Sequence, residues 1–217
     1  MKQFKCHIVQ LALFLKDSKI QLDDLSSKLR SKLAIGDFNT MIMPEAPGMP
    51  EDFPRLQITT PVGYRLTSSK TRIDFFIDLP LGIEDKDFNG FKANCSKLLE
   101  VLAELGCKYM RLGYVKTYFS SDEEPVKTFI DKVTRIPSDG LSDVQFNVTR
   151  KREKEGCAYN DIFSFTTAYL NMRRGLVAVR DLNTDAGIEL VGDVQRLISN
   201  FDEASSVESI DAFLEGR

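Results

Sequence analysis

The sequence predicts an α+β protein, built on antiparallel β-sheet with helices packed on one face. Three observations favour this class. Three consecutive strand-like segments with charged connections lie between residues 143 and 183. A further segment, 71–79, alternates between apolar and polar residues, which is typical of a half-buried strand. Two long amphipathic stretches carry apolar residues at helical spacing, but strands and helices do not alternate strictly as they do in a doubly wound parallel fold.

The first half of the chain contains a strand, a helix and a meander. The opening strand becomes apolar on both sides, which is typical of a central strand. Leucines at helical spacing, acidic residues in the first turn and basic residues in the last predict the helix that follows. Four prolines then predict an irregular loop, because proline lacks the donor for regular pairing. The predicted segments are a strand at 5–15, a helix at 21–34, the loop at 43–54, and strands at 55–60, 64–67 and 71–79.

The middle and the end of the chain contain the longest predicted elements. A stripe of Phe and Leu residues marks the first long helix, and each such side chain contributes about 1.5–3 kcal/mol when buried. Gly106 suits the C-terminal cap of this helix, and Pro125 suits the first turn of a shorter one. The predicted segments are helices at 88–105, 125–136 and 188–201, strands at 108–119, 143–152, 159–170 and 176–183, and a final helical turn or two at 207–214.

The order of elements indicates an internal repeat. A strand, a helix, a meander and a second helix occur twice in that order. We therefore expect a single α+β domain over residues 1–217, with 1–107 and 108–217 as candidate pseudo-repeated halves. The two halves share no sequence motif, so the expected repeat is one of topology.

The composition is that of a folded globular protein, with 42% hydrophobic and 28% charged residues. The net charge of −3 gives no overall field that favours nucleic acid. No apolar run approaches the roughly 20 residues that cross a bilayer. The apolar segment 9–15 is followed by Lys16 and Asp17 instead of a cleavage site for a signal peptide. We therefore expect a cytoplasmic protein that does not associate with membranes.

The cysteines and the single histidine offer little chemistry. The cysteines are Cys6, Cys95, Cys107 and Cys157. They form no Cys-x-x-Cys pair, whereas a structural zinc site typically has two close pairs of ligands, so we expect small buried apolar residues. His7 lies beside Cys6, but neighbours in a strand point to opposite faces. The sequence also contains no nucleophile elbow, phosphate loop or dinucleotide-binding glycine motif, so an enzyme is not favoured.

One metal-loop candidate lies near the end of the third strand. Asp181, Asn183 and Asp185 alternate along the chain, and hard cations such as Ca²⁺ bind oxygen ligands presented from alternate positions around a tight turn. A calcium loop also has glycine at its sixth position and glutamate at its twelfth, where this chain has Ala186 and Gly192. The alternative is the end of a strand followed by caps for the final helix.

A charged segment, 150–154, is predicted to form the tip of a hairpin. Its basic residues are Arg150, Lys151, Arg152 and Lys154. A basic ribbon can enter a groove of nucleic acid, whereas the alternative is a solvated edge that discourages strand pairing. Arg173 and Arg174 form a second basic pair, but about 40 Å away along the intervening strand at ~3.3 Å per residue.

Polar residues interrupt two otherwise apolar strands. They are Asn160 and Asp161 in one strand and Arg180 and Asp181 in the next. Buried polar groups must be paired. Arg180 is therefore predicted as a binding residue, either in a cross-strand Arg–Asp network or in the wall of a pocket.

Three short motifs and the order of elements resemble an uncharacterised family of sporadically distributed bacterial proteins. The motifs are Phe-Pro-Arg-Leu at 53–56, Arg-Ile-Asp-Phe at 72–75 and Tyr-Met-Arg-Leu-Gly-Tyr at 109–114. The resemblance covers residues 4–185. Family members usually carry a tryptophan near the start of the long helix, and this chain has none. The family has no established chemistry and implies no site residues, but its patchy distribution implies a link to mobile elements or phage conflict.

The sequence favours a non-catalytic cytoplasmic binding protein. It would bind a partner protein, or a second copy of itself, through a sheet face or the proline-rich loop. The first alternative is a nucleic-acid binder that uses the 150–154 hairpin. The second is a carboxylate-based enzyme with a divalent cation at Asp181 and Asp185, joined by Asp74 or Asp78. No cofactor is expected apart from such a cation.

Overall fold

The computed structural model describes residues 3–16, 20–79, 88–154, 156–185 and 193–216, and the predicted α+β class is confirmed. The described strands are β1 (Lys5–Lys16), β2 (Asn39–Ile42), β3 (Leu56–Thr59), β4 (Tyr64–Ser68), β5 (Arg72–Asp78), β6 (Lys108–Ser121), β7 (Gln145–Lys154), β8 (Cys157–Leu170) and β9 (Arg173–Thr184). The described helices are α1 (Leu22–Lys32), α2 (Phe88–Glu104), α3 (Pro125–Val133), α4 (Val194–Ala204) and α5 (Val207–Leu214). None of these helices combines the length and the apolar character needed to span a bilayer.

All nine described strands form one antiparallel sheet in the order β2-β3-β4-β5-β1-β6-β9-β8-β7. In each half of the chain, the first strand pairs with the last strand of its own meander: β1 with β5, and β6 with β9. The two first strands then pair with each other along most of their length. The halves differ because β2 and α5 have no counterpart in the other half.

Alternation along each strand gives the sheet two different faces. Val9, Leu11 and Leu13 of β1 are completely buried and define the helix-covered face. Gln10 and Phe14 lie on the opposite side and are half-buried. We call this second side the open face, because no described helix packs on it.

Aromatic residues join the helices to the helix-covered face. Phe91 of α2 stacks on Phe75 of β5, with ring centroids 5.1 Å apart. Phe213 of α5 stacks on Phe163 of β8 at 4.5 Å. Phe129 of α3 packs on Phe165 of β8 with ring centroids 5.1 Å apart and the rings tilted by 43°. Pairs of this kind contribute about 0.5–1.5 kcal/mol beyond the burial of their apolar surface.

A buried ionic network joins α4 to β6. The ammonium of Lys116 lies 2.6 Å from Oδ1 of Asp202, and the Tyr114 hydroxyl donates to the same oxygen at 2.8 Å. Lys92 reaches the other carboxylate oxygen at 3.2 Å. Burial raises the pKa of Asp202, but the charge and hydrogen bonds of these neighbours lower that pKa by more, so the carboxylate stays ionised. This network fixes α4 over the centre of the sheet.

Several predicted boundaries differ from the structure. Strand β2 was not predicted, because four residues without apolar alternation give no periodic signal. The predicted helix at 188–201 begins at Val194 in the described part, where the Asp193 carboxylate accepts from the Arg196 amide at 2.9 Å, while residues 188–192 lie outside the described residues. The 125–136 helix ends at Val133. Cys6 and Cys95 are buried as expected, whereas Cys107 and Cys157 are half-buried.

Two glycines provide a test of the packing. A Cβ at Gly175 would lie 2.6 Å from Phe119 Cζ and still closer to the Ser120 carbonyl oxygen. We therefore expect Gly175→Ala to lower the free energy of unfolding by about 1–3 kcal/mol. Gly90→Ala in α2 is the control, because its nearest neighbour would be the Tyr64 hydroxyl at 3.6 Å. That change should raise the free energy of unfolding by about 0.5–1 kcal/mol in urea denaturation. Similar effects of both changes would contradict the close approach of β6 and β9.

Candidate functional site

The centre of the open face brings together residues from four strands. Both β5 and β6 pair with β1, so that Phe14 lies opposite Arg72 on one side and Arg111 on the other. One step along, Ala12 lies between Asp74 and Gly113 in the same way. Strand β9 adds two more residues beside β6. We call Gln10, Phe14, Arg72, Asp74, Arg111, Asp181 and Asn183 the central cluster.

Two arginines flank one aromatic ring in this cluster. The guanidinium carbons of Arg72 and Arg111 each lie 4.8 Å from the centroid of the Phe14 ring. Arg72 also donates from Nε and Nη2 to Oδ1 of Asp74, at 2.9 and 2.7 Å. The Gln10 amide donates to the same oxygen at 2.7 Å. The β5 side of the cluster is therefore held by internal hydrogen bonds.

The β9 side of the cluster is held by amide groups. Arg111 Nη2 donates to Oδ1 of Asn183 at 3.2 Å. The side-chain amide of Asn160 donates to the same oxygen and to Oδ1 of Asp185, both at 3.2 Å. The Asn183 oxygen thus accepts two hydrogen bonds, and the side chain is 3% exposed.

Three neighbouring polar atoms in the cluster have no hydrogen-bond partner among the described residues. They are Arg111 Nε, Asn183 Nδ2 and Asp181 Oδ1, and all three are buried. Most buried polar groups are paired, and leaving one unpaired costs about 1–3 kcal/mol. Gly113 lies beside them, and a Cβ there would be 4.0 Å from Asp181 Oδ1. Asn183 lies close enough to Asp181 for its side-chain amide to lower the pKa of that carboxyl group, but the contact falls short of full hydrogen-bond geometry. Among the described residues, the cluster therefore holds two donor groups and one acceptor without a well-formed hydrogen bond, beside a glycine.

Burial dominates the electrostatics of Asp181. Loss of hydration raises the pKa of this carboxyl group, and the nearby Asn183 amide and the guanidinium groups of Arg111 and Arg72 only partly offset the increase. The charged form of Asp181 is therefore poorly solvated in the folded chain. A donor brought in from outside would stabilise that charged form.

The charges near the centre of the open face cancel. The groups are Arg65, Arg72 and Arg111 against Asp74, Asp78 and Asp181. Arg65 makes a two-pronged ion pair with Asp78, at 2.7 and 3.0 Å. Asp185 at the rim adds one more negative charge. This surface suits a partner that carries both donors and acceptors, and it does not suit a polyanion.

The metal-loop candidates lie in a strand and not in a loop. Asp181 and Asn183 belong to β9, where alternate residues are about 6.6 Å apart on one face, and Asp185 follows the end of the strand. The Arg111 and Asn160 donors approach them where a cation would bind. In the part of the chain that the structure describes, no three Cys, His, Asp or Glu residues are grouped to hold a metal. Metal binding stays a prediction that this geometry does not favour.

The basic segment also lies within a strand, and its residues point to both sides of the sheet. The predicted hairpin tip at 150–154 is part of β7, where Arg150 lies opposite Asp161 of β8. Arg150 and Arg152 share a side with Lys154, whereas Lys151 points to the open face. Arg180 of β9 meets the two arginines on the helix-covered side. Nucleic-acid binding by this segment stays a prediction, and it would have to use one side of the strand.

Sequence reasoning named Asp181 and Asn183 only as candidate metal ligands and did not bring the residues of the central cluster together. Arg72 with Asp74, and Arg111 with Gly113, occur in the motifs that carry the family resemblance. The members of each pair are two positions apart in the sequence, which places both on one face of the sheet. The missing information was the strand order, which places β5 and β6 on either side of β1.

The raised pKa of Asp181 predicts a pH-dependent effect on stability. An aspartate whose native pKa lies above its unfolded value of about 3.9 destabilises the native state as the pH rises through that interval. Asp181→Asn removes this cost. In dilute protein, where each chain is a separate copy, we expect the Tm of the variant to exceed that of the wild type at pH 7, and the difference to vanish at about pH 3, where the Asp181 carboxyl group and its amide replacement are both neutral. A difference that is constant or reversed in thermal melts would contradict the raised pKa.

Comparison with known proteins does not assign the chain. No family model matches it, and no curated protein matches it either. The resemblance to the uncharacterised bacterial family stays a prediction that rests on the three motifs and on the order of elements.

Proposed function

We propose that this chain is a non-catalytic binding protein that docks a second copy of itself through the open face. The unused donors on Arg111 and Asn183, beside the unused acceptor on Asp181, carry this proposal. The cluster combines guanidinium, carboxylate and amide groups, which can donate and accept hydrogen bonds across an interface with a second copy.

The open face is large enough for a stable dimer. The nine described strands contain 82 residues, and each residue covers about 16 Å² of the sheet at ~3.3 Å along the strand and ~4.8 Å between strands. The open face therefore measures about 1,300 Å², which exceeds the roughly 800 Å² that each partner contributes to a standard protein interface. Two sheets can pack face to face at about 10 Å, as they do in β-sandwiches.

A second copy satisfies the chemistry of the central cluster. In a two-fold dimer the same surface faces itself, so that a group at one position meets a different group of the other copy. Such an arrangement can bring the half-buried Asp181 carboxylate of one copy to the half-buried Arg111 guanidinium of the other. Because the charges of the face cancel, two copies do not repel each other as two strongly charged surfaces would.

Adding a charge at the centre of the open face should break the dimer. Thr117 of β6 points to this face and makes no described side-chain hydrogen bond. We expect wild-type protein to sediment as a dimer, and Thr117→Arg to weaken dimerisation at least tenfold, because its bulk and charge separate the two faces. Sedimentation equilibrium over a range of protein concentrations measures both constants.

A matched variant separates this effect from a general effect of charge. Ser27→Arg places the same charge at an exposed position of helix α1, on the other side of the sheet, and should leave the dimer constant unchanged. A wild-type protein that stays monomeric at every concentration would refute the proposal. Equal weakening by Ser27→Arg and Thr117→Arg would place the interface elsewhere.

A further inference from the structure

A pocket lies on the helix-covered side of the sheet, which is the side opposite the central cluster. It lies between β7, β8, β9 and α5 and has a volume of about 280 Å³. The side chains of Arg150, Arg152 and Arg180 enter it together with those of Phe163 and Phe213. We call it the arginine pocket. No part of the proposed self-association uses these residues.

The base of the arginine pocket is a buried ion pair. Arg180 donates from Nε and Nη2 to the two oxygens of Asp161, at 2.8 and 3.0 Å. Arg152 donates from Nε to one of the same oxygens at 2.8 Å. The Asp161 carboxylate is completely buried, whereas the Arg152 side chain is 45% exposed. Arg180 therefore belongs to an Arg–Asp network and also lines a pocket, which are the two alternatives predicted for it from the sequence.

Arg150 has no ion pair or hydrogen bond among the residues that the structure describes. Its guanidinium carbon lies 5.5 Å from the centroid of the Phe213 ring and 5.9 Å from that of Phe163. The Phe163 ring also lies 4.2 Å from the guanidinium carbon of Arg180. Aromatic contacts of this kind orient a guanidinium group without neutralising its charge.

The arginine pocket therefore carries excess positive charge. Arg152 and Arg180 share the one carboxylate of Asp161, and Arg150 adds a third guanidinium group, which leaves a local charge of about +2. No carboxylate lines the pocket among the described residues. Among the described residues, Arg152 donates a hydrogen bond only from its Nε, so its two Nη groups are unused. All the donors of Arg150 are also unused among these residues.

We propose that the arginine pocket binds the phosphoryl group of a small phosphomonoester. Arginine presents paired N–H donors in a planar fork that matches phosphate oxygens, and the dianion balances the excess charge. The volume of 280 Å³ lies just below the range of about 300–1,000 Å³ that holds drug-sized ligands. The site therefore accommodates a phosphoryl group with a few attached atoms.

The test uses titration calorimetry of the full chain with inorganic phosphate and with glycerol 3-phosphate, against sodium chloride at matched ionic strength. We expect both phosphates to bind to the wild type and chloride to give no signal. Arg150→Gln should weaken phosphate binding at least tenfold, because it removes charge-assisted hydrogen bonds. Arg150 is exposed, so the variant should keep the fold of the wild type.

Arg173→Gln is the matched control. Arg173 is exposed and lies at the far end of β9, so the change removes the same charge far from the arginine pocket. It should leave phosphate binding unchanged. Absence of phosphate binding to the wild type, or equal losses in the two variants, would overturn the proposal.

A third titrant distinguishes a phosphomonoester from nucleic acid. A single-stranded oligonucleotide without terminal phosphates presents only phosphodiesters, each with a single charge. Binding of this oligonucleotide that requires Arg150, without binding of either small phosphate, would overturn the proposal in favour of a nucleic-acid backbone. The pocket lies away from the open face, so a failure of self-association would leave this test intact.

Discussion

The rest of the structure depends on the antiparallel pairing of β1 with β6. This pairing joins the two halves of the chain into one sheet and sets Ala12 opposite Gly113 and Leu11 opposite Tyr114. On the helix-covered face it aligns the apolar residues that α2 and α4 bury. On the open face it places Arg111 of one half beside Arg72 of the other, with Phe14 between them. The core and the central cluster are therefore consequences of one register.

The two faces treat charged side chains differently. Buried charges on the helix-covered face are engaged by opposite charges, as in Lys116 with Asp202 and Arg180 with Asp161, because an unpaired buried charge is costly. The open face balances its charges as well, yet it leaves polar atoms of Arg111, Asn183 and Asp181 unpaired. The arginine pocket differs again, since its positive charge exceeds what Asp161 can balance. These departures from full pairing are where a partner or ligand is expected.

Local periodicity accounts for what could be predicted from the sequence. The alternation in 71–79 and the stripe in 88–105 specify a strand and a helix by themselves, and both elements are present. Strand β2 is too short for such a signal and is set by pairing with β3. The central cluster requires the strand order, which depends on contacts between distant segments. Asp181 and Asn183 fall in the predicted strand 176–183, and the alternation that also made them candidates for a metal loop is the alternation of that strand.

Hydroxyl-radical footprinting at increasing protein concentration would test the central claim most directly, namely that the open face is covered by a second copy. Phe14 and Phe76 lie on that face and are half-buried in one copy. Met172 is 98% exposed at the β8–β9 turn and provides an internal reference. The proposed dimer predicts that oxidation of Phe14 and Phe76 falls as concentration rises, while oxidation of Met172 stays constant. Constant oxidation of all three residues would contradict it.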